Sequence, residues 1–316
     1  MPRIQIAQIE RAQSTIDPAF LHSPQVESAP LAAHCDARVL VKDETQNPIR
    51  SFKGRGADFF VGELQNPPAR LVCASAGNFG QGLAYASVRR GIACDVFAAL
   101  TANPLKIERM RTLGATVKLA GDDFDAAKDA GRAYAASIGA PFVEDGRDVA
   151  ISEGAGTIGV ELMAQPERPD TLVIPLGNGA LLGGVATYVK HVAPSTRVIG
   201  VCAVGASSME QSWRRKTKIT TADARTIADG IAVRVPIQEA LDDLRDVVDD
   251  IVLVSDDEIL TAMHFMFREH EQMLEPAGAV GVAALMARRA DFKGKHVATV
   301  LCGANVTPEQ MRRWFA

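Results

Sequence analysis

Short β-rich runs alternate with helical segments along most of this 316-residue chain. The clearest β-rich runs are residues 71–74, 94–98 and 171–175, and each is followed by a helical segment, at 80–90, 104–113 and 181–191. Strands that are separated by helices pair in parallel, because each crossover helix packs back onto the sheet. The alternation therefore predicts an α/β fold with parallel sheet and with ligand sites at the carboxyl ends of the strands. Ser255 and Glu258 have the spacing of a capping box at the start of a helix. A further helix is expected to begin at Glu153, and residues 213–225 are expected to be irregular.

Composition excludes several classes of function. A net charge of -4 provides no basic surface for nucleic acid or anionic membranes. No apolar run approaches the roughly 18 residues of a membrane span, and the N-terminus lacks a signal-peptide core. The five cysteines form no CxxC pair, and an odd number of cysteines cannot all form disulfides within the chain, which suits a reducing compartment. We therefore expect a cytoplasmic protein that acts on small molecules and has neither nucleic acid nor membrane as a partner.

Residues 51–56 read Ser-Phe-Lys-Gly-Arg-Gly and lie between a predicted strand and an apolar helical run. An amine becomes a nucleophile near neutral pH only where desolvation or a neighbouring cation lowers its pKa. Phe52 and Arg55 stand beside Lys53 in the sequence and are candidates for these two roles. The alternative interpretation is a solvated lysine at the start of a helix, and the hexapeptide alone favours that alternative.

Three more glycine-containing polar stretches follow predicted strands, at residues 75–82, 175–184 and 301–305. The first two open helices, whose free backbone N–H groups and dipole suit a carboxylate or a phosphate. An ordinary polar turn explains the first stretch equally well.

Six stretches together resemble, in order, the signature of the serine/threonine dehydratase family. They are residues 51–56, 74–78, 177–181, 228–230, 275–279 and 302–305. These enzymes use pyridoxal phosphate and have fold type II, the tryptophan synthase β-like group. The resemblance implies an α/β protein of two doubly wound domains with the cofactor in the cleft between them. It also implies a large cofactor-binding domain at 1–68 and 148–316, a small mobile domain at 69–147, and a homodimer.

The resemblance also implies roles around the cofactor, pyridoxal 5'-phosphate. Lys53 would form a Schiff base with the cofactor and then act as the base on the substrate Cα proton. Phe52 would lie against one face of the pyridine ring, and Gly230 would leave room on the other. Asn78 would bond the phenolic oxygen, and Cys302 would face the ring nitrogen.

Two loops would hold the anionic groups. The phosphate would be held by the backbone of Gly177, Asn178, Gly179, Ala180 and Leu181. The substrate carboxylate would be surrounded by Ser75, Ala76, Gly77 and Phe79. A neutral thiol at Cys302 would be a weak partner for the ring nitrogen, which favours β-elimination over transamination. The implied reaction converts a β-hydroxy amino acid of the serine/threonine type into a 2-oxo acid and ammonia.

Several positions depart from the family pattern. Asn178 and Ala180 interrupt the usual glycine run, and the asparagine either bonds the phosphate or accepts a left-handed backbone conformation. Phe79 replaces a common histidine, which suits a bulkier or less polar β-substituent. Glu153 either reads a polar or cationic substrate or caps its helix. Glu275 is either an acid at a helix N-terminus or a cofactor-side group that orients Lys53. Serine, threonine, a hydroxyaspartate and a phenylserine-like compound all stay open as substrates.

Two other functions fit less well. A racemase of this fold needs a second base, where this chain has Ala76, and a metal site. The positions for its metal ligands are occupied by Cys202, Ala203, Ser207 and Ser208, so we expect no metal. A nicotinamide-dependent oxidoreductase would explain the glycines at 177, 179 and 183. It requires an acidic residue near the end of the next strand, which 199–204 lacks, and it leaves Lys53 without a role.

Overall fold

The computed structural model describes residues 2–75 and 77–315, and its strands form two separate sheets. The strands are β1 (Gln25–Glu27), β2 (Arg38–Asp43), β3 (Arg70–Ala74), β4 (Ala93–Ala98), β5 (Thr116–Leu119), β6 (Phe142–Val143), β7 (Thr171–Pro175), β8 (Arg197–Ala203), β9 (Asp250–Val254) and β10 (His296–Leu301).

Helices precede, connect and follow these strands. They are α1 (Ile6–Thr15), α2 (Ala29–Cys35), α3 (Lys53–Gly62), α4 (Asn78–Arg89), α5 (Pro104–Thr112), α6 (Phe124–Ser137), α7 (Val149–Met163), α8 (Ala180–Val192), α9 (Ser208–Arg215), α10 (Gln238–Leu244), α11 (Asp256–His270), α12 (Pro276–Ala287), α13 (Arg289–Phe292) and α14 (Pro308–Phe315). No helix in the described ranges is both long enough and apolar enough to cross a membrane.

The larger sheet has the strand order β1-β2-β10-β7-β8-β9. All of its neighbouring strands are parallel except β1, which pairs antiparallel with β2 at the edge. Every residue of β7 and β10 is buried, as expected for central strands that are covered by helices on both faces.

The smaller sheet, β5-β4-β3-β6, is parallel throughout and uses residues 70–143 alone. The larger sheet takes its strands from residues 25–43 and 171–301. This arrangement confirms the predicted α/β class with two wound units. The domain boundaries near residues 68 and 148 stay a prediction.

Sequence patterns missed the shortest elements and misplaced some ends. Strands β1 and β6 have three and two residues, too few to show a period. Helix α2 was hidden by Pro30, although proline is well tolerated in the first turn of a helix, and Ser28 caps it. Helix α9 occupies part of the stretch from 213 that was expected to be irregular. The capping box at Ser255 and Glu258 is confirmed.

Helices α7 and α8 approach each other through glycines. A Cβ added to Gly184 would lie 2.0 Å from the carbonyl oxygen of Ser152 and 2.8 Å from the nitrogen of Gly156. Only a residue without a side chain therefore permits this approach. The contact holds α8 against the layer that also carries α3.

Four charged side chains form a buried cluster beneath α3. The Arg55 guanidinium donates to both carboxylate oxygens of Glu44, each at 2.8 Å, and to those of Glu161 at 2.6 and 3.0 Å. Lys42 also pairs with Glu161. The exposed fraction of these side chains is 7% or less. The cluster joins β2, the loop after it, α3 and α7, and it has two positive and two negative charges.

Replacing Arg55 with methionine should destabilise the fold strongly, because it leaves Glu44 and Glu161 buried without their main partner. Losing one partner of a buried ion pair costs roughly 3–5 kcal/mol, and we expect the free energy of unfolding in urea to fall by about that amount. Arg245→Met is the control, since Arg245 pairs with Asp242 at the surface, where such pairs contribute less than about 1 kcal/mol. Equal losses in the two variants would contradict a stabilising role for the cluster.

Acid unfolding offers a second measurement on the same variants. Burial alone would raise the pKa of Glu161, but Arg55 and Lys42 outweigh it and lower the pKa from 4.5 to about 2. A lowered carboxyl pKa stabilises the fold above pH 4.5, and this stabilisation is lost as the pH falls towards 2. At about 1.4 kcal/mol per pH unit of difference, it amounts to about 3 kcal/mol. We expect Arg55→Met to lose less stability than the parent protein between about pH 5 and about pH 2.

Candidate active site

A cavity of about 810 Å³ is lined by residues that follow the carboxyl ends of β3, β6, β7 and β10. The structure brings together fourteen of the sixteen predicted site residues around it: Phe52, Lys53, Ser75, Gly77, Asn78, Phe79, Gly177, Asn178, Gly179, Ala180, Leu181, Gly230, Glu275 and Cys302. Ala76 lies outside the described residues. Glu153 does not line the cavity.

Lys53 is the first residue of α3 and extends into the cavity. Its Nζ lies 2.5 Å from Oδ2 of Asp145 and 4.7 Å from the centre of the Phe52 ring. The expectation that Arg55 would act as a neighbouring cation is wrong. Residues two apart on a helix point about 200° apart, and Arg55 is turned into the buried cluster beneath the helix.

Asp145 was missed by the sequence analysis, although it is the closest charged partner of Lys53. It follows the two-residue strand β6 and is 8% exposed. Its second oxygen, Oδ1, is buried and has no hydrogen-bond partner among the residues that the structure describes. A strand this short carries no recognisable period, so nothing in the sequence marked the position as the end of a strand.

Asn78, Glu275 and Asn305 form a hydrogen-bonded triangle at the side of the cavity. The Asn78 amide donates to Oε1 of Glu275 at 2.6 Å, and the Asn305 backbone N–H donates to Oε2 at 3.0 Å. The Asn305 side chain donates to Oδ1 of Asn78 at 2.7 Å. The side chain of Glu275 neither caps α12 nor hydrogen-bonds Lys53. Its position corrects the expectation that it orients the lysine, because it orients Asn78 instead.

Burial is the main reason why the pKa of Glu275 is raised from 4.5 to about 7. The negative charge of Asp229 raises the pKa further, while Lys106 and the bonds from Asn305 and Asn78 lower it. Near neutral pH this carboxyl group is therefore partly protonated.

Ser75 and the residues from Gly77 to Phe79 have the arrangement expected of a carboxylate site. The Ser75 hydroxyl accepts hydrogen bonds from the N–H groups of Gly77, at 3.1 Å, and Gly80, at 3.0 Å. The first-turn N–H groups of Asn78 and Phe79 have no acceptor within the helix and are available to a ligand. A cation that sequence analysis missed lies nearby, since Nζ of Lys106 is 3.9 Å from where a Cβ of Gly77 would be.

The loop from Gly177 to Leu181 leads from β7 into α8, where helix N-termini attract anions. Gly179 is the N-cap of α8 and has φ +98°, which favours glycine. The expectation that Asn178 accepts a left-handed conformation is wrong, since the residue with positive φ in this loop is Gly179. Gly177 allows a close approach to the loop around Gly230, because its Cβ would lie 3.0 Å from the Gly230 carbonyl oxygen.

Cys302 and Gly230 lie on other walls of the cavity. The Cys302 thiol donates to the carbonyl oxygen of Ala277 at 3.3 Å. Burial is the main cause that raises its pKa well above the usual range, so the thiol stays neutral. A Cβ on Gly230 would lie 2.9 Å from Cβ of Ala277 and 3.7 Å from Oε1 of Glu275, and it would narrow the cavity.

Glu153 lies outside the site, contrary to the expectation that it reads the substrate. Helix α7 begins at Val149, four residues earlier than predicted, so Glu153 does not cap its own helix either. Its Oε1 accepts the backbone N–H of Gln5 at 3.0 Å. Glu153 thus binds the residue that immediately precedes α1, which is 148 residues away in the chain.

Comparisons with known proteins agree with this geometry. A family model described as "Pyridoxal-phosphate dependent enzyme" matches residues 16–303. The chain is 34% identical to an L-threonine ammonia-lyase of Thermotoga maritima over 98% of its own length and 78% of that protein. It is 35% identical to the L-threonine ammonia-lyase of Geobacter sulfurreducens over 85% of its own length and 67% of that protein.

Solved structures resemble it over nearly the whole chain. The processed form of threonine deaminase isoform 2 from Solanum lycopersicum superposes with a TM-score of 0.91 at 28% identity, covering 99% of this chain and 94% of that one. Maize serine racemase superposes with a TM-score of 0.93 at 26% identity, covering 98% and 96%.

Glu275 should make stability depend on pH. A carboxyl group whose pKa is raised by folding stabilises the protein fully below pH 4.5, and this contribution is lost as the pH rises through 7. We expect the free energy of unfolding in urea to fall from about pH 5 to about pH 8 by about 2–3 kcal/mol more in the parent protein than in Glu275→Gln. The same pH dependence in both proteins would contradict the protonation of Glu275.

Proposed function

The chain belongs to the pyridoxal-phosphate dependent enzymes, and from that premise we propose that it catalyses β-elimination on a β-hydroxy amino acid of the serine/threonine type. The products are a 2-oxo acid and ammonia. The observation that carries the proposal is the position of Lys53, whose amine enters a cavity that also contains two loops suited to anions.

The cavity fits pyridoxal phosphate in three respects. The backbone of the Gly177 loop meets the N-terminus of α8, where a phosphate is stabilised by N–H groups and the helix dipole. The Phe52 ring offers a flat apolar surface beside Lys53, and Gly230 keeps open a space that a Cβ would narrow. When bound, the cofactor draws electrons from the substrate Cα and makes its proton acidic.

Residues of the chain then move the proton and bind the substrate. Lys53 Nζ takes the Cα proton. The N–H groups of Asn78 and Phe79 would bind the substrate carboxylate beside Ser75 and Gly77, and the family resemblance gives Ala76 the same role.

The other residues bind and orient the cofactor. Asn78, which is held in place by Glu275, would present its amide to the phenolic oxygen. Ala180 and Leu181 complete the phosphate loop with Gly177, Asn178 and Gly179. Cys302 would face the ring nitrogen with a neutral thiol, which would limit protonation of the ring and favour elimination.

The charge of the cavity favours serine or threonine over hydroxyaspartate among the β-hydroxy amino acids. Among the residues that the structure describes, the cavity is lined by seven carboxyl groups and by only four basic side chains. A second carboxylate on the substrate would therefore meet net repulsion. The acidic lining is Asp123, Asp125, Glu144, Asp145, Asp223, Asp229 and Glu275, and the basic lining is Lys53, Lys106, Lys128 and Arg234. Phe79 leaves a phenylserine-like substrate as the second candidate. Racemisation stays disfavoured on sequence grounds.

Substitution of Lys53 tests the proposal directly. The protein incubated with pyridoxal phosphate should absorb visible light, lose that band on borohydride reduction, and release 2-oxo acid from serine or threonine. Lys53→Ala should lower this release by at least roughly 10³-fold, within the range for removal of a general base. Lys190→Ala is the control and should retain the release of 2-oxo acid, because Lys190 pairs with Asp249 outside the cavity. A protein that stays colourless, or a Lys53→Ala variant that still turns over, would refute the function.

Two further proposals concern assembly and compartment. The chain forms a homodimer, as its resemblance to the dehydratases implies, and resides in the cytoplasm, where its five free and buried cysteines stay reduced. Light scattering should give twice the chain mass of 33.7 kDa, and cell fractionation should recover the protein with cytoplasmic markers. A monomeric mass, or recovery in a membrane or secreted fraction, would contradict the respective proposal.

A further inference from the structure

Asp145 holds a buried carboxylate that has only one charged partner among the described residues. Oδ2 contacts Nζ of Lys53 at 2.5 Å, and the Asp145 side chain is 9% exposed. Oδ1 is buried and has no hydrogen-bond partner in the ranges 2–75 and 77–315, although Asp145 lines the cavity. A buried carboxylate oxygen without a partner is costly, so the site favours a ligand that supplies a cation or a strong donor.

The other basic side chains of the described cavity lining are already engaged. Lys106 pairs with Asp229, and Lys128 pairs with Glu144. Arg234 pairs with Asp125. Asp145 therefore depends on Lys53 alone for a positive charge.

That single partner is the residue that the reaction needs elsewhere. Once the Lys53 amine is bonded to the cofactor, or is positioned on the Cα proton, it no longer neutralises Asp145. The carboxylate then lies beside the reacting end of the substrate. A base that takes the Cα proton lies about 3 Å from it, so a group in contact with that base is within reach of a substituent on Cβ.

We propose that Asp145 binds the Cβ substituent of the substrate and selects an ammonium group over a hydroxyl group. The preferred substrate class is then a 2,3-diamino acid, whose β-ammonium replaces the charge that Lys53 withdraws. This proposal rests on the proposed β-elimination, and it changes the preferred leaving group at that same site from a hydroxyl group to an ammonium group. A hydroxyl group also donates a hydrogen bond to Asp145, but without the charge.

The elimination balances for this substrate. The Cα–H bond breaks, its proton passes to Lys53, and its electron pair forms the Cα–Cβ double bond. The Cβ–N bond breaks, and its pair leaves with nitrogen as neutral ammonia, because the ammonium already carries the proton that departure requires. Water hydrolyses the released enamine to a 2-oxo acid and a second ammonia. A diamino acid thus yields two ammonia per 2-oxo acid, whereas a hydroxy amino acid yields one.

The first experiment compares L-2,3-diaminopropionate with L-serine, which differ only in the Cβ substituent. We expect kcat/KM to be higher for the diamino acid in the parent enzyme. Asp145→Asn should lower the ratio of the two kcat/KM values by at least roughly tenfold, the effect of about 1.4 kcal/mol. Using the ratio cancels any loss that both substrates share through Lys53. Asp145→Glu retains the charge and should preserve more of the ratio.

Asp125→Asn is the matched control. It also removes a carboxylate from the cavity lining, but Asp125 already pairs with Arg234 and is 39% exposed. We expect the ratio of the two kcat/KM values in Asp125→Asn to stay within about twofold of the parent value. This variant changes the net charge of the cavity as much as Asp145→Asn does, but it leaves the contact of Asp145 with the substrate intact. The proposal would be overturned if Asp145→Asn had the same ratio of kcat/KM values as the parent enzyme, or if Asp145→Asn and Asp125→Asn lowered that ratio equally.

A binding measurement separates this proposal from the proposed function. In Lys53→Ala with excess pyridoxal phosphate, calorimetry measures affinity without turnover, and the diamino acid should bind at least roughly tenfold tighter than serine. Lys53→Ala combined with Asp145→Asn should abolish the difference. If the parent enzyme eliminates neither substrate but the affinity difference is found, the proposed function fails and the role of Asp145 stands. If elimination occurs without any affinity difference, the role of Asp145 alone fails.

Discussion

The buried cluster of Lys42, Glu44, Arg55 and Glu161 is the interaction on which the site depends. It fixes the helix that begins with Lys53, because Arg55 is bonded at the same time to the loop after β2 and to α7. Lys53 and Arg55 are two residues apart and point to opposite sides of α3. Arg55 thus anchors the helix, while Lys53 faces the cavity. The charge balance of the cluster makes this burial tolerable, since each ion has a partner of opposite sign.

Several contacts that define the cavity also join the two sheet units. Lys53 follows β2 and Glu275 precedes β10 of the larger sheet, whereas their partners Asp145 and Asn78 follow β6 and β3 of the smaller one. The pair of Lys106 and Asp229 crosses the same boundary. Ligands that engage Lys53 or Asn78 therefore replace contacts between the units.

The sequence predicted the strands, helices and loops of the site better than the partners of its charged side chains. The strand and helix alternation, the anion loop ending at Gly179 and the capping box at Ser255 depend on neighbours within a few residues, so local pattern suffices. The partners of Lys53 and Arg55 are 92 and 106 residues away in the chain, and only the tertiary fold selects them. Glu153 shows the same limit, since its partner Gln5 immediately precedes another helix, α1.

Electrostatics differ sharply between the two ends of the proposed cofactor site. At one end Cys302 is neutral and its thiol donates to a backbone carbonyl group, so it would only weakly stabilise a positive charge on a ring nitrogen placed there. At the other end Lys53 and Asp145 face each other at 2.5 Å in a largely enclosed space, where charge interactions are stronger than in water. This charged pair thus lies beside the place where, in the proposed reaction, the Cα proton and the β-substituent would leave. That distribution suits an enzyme that expels a leaving group more than one that stores electrons in its cofactor ring.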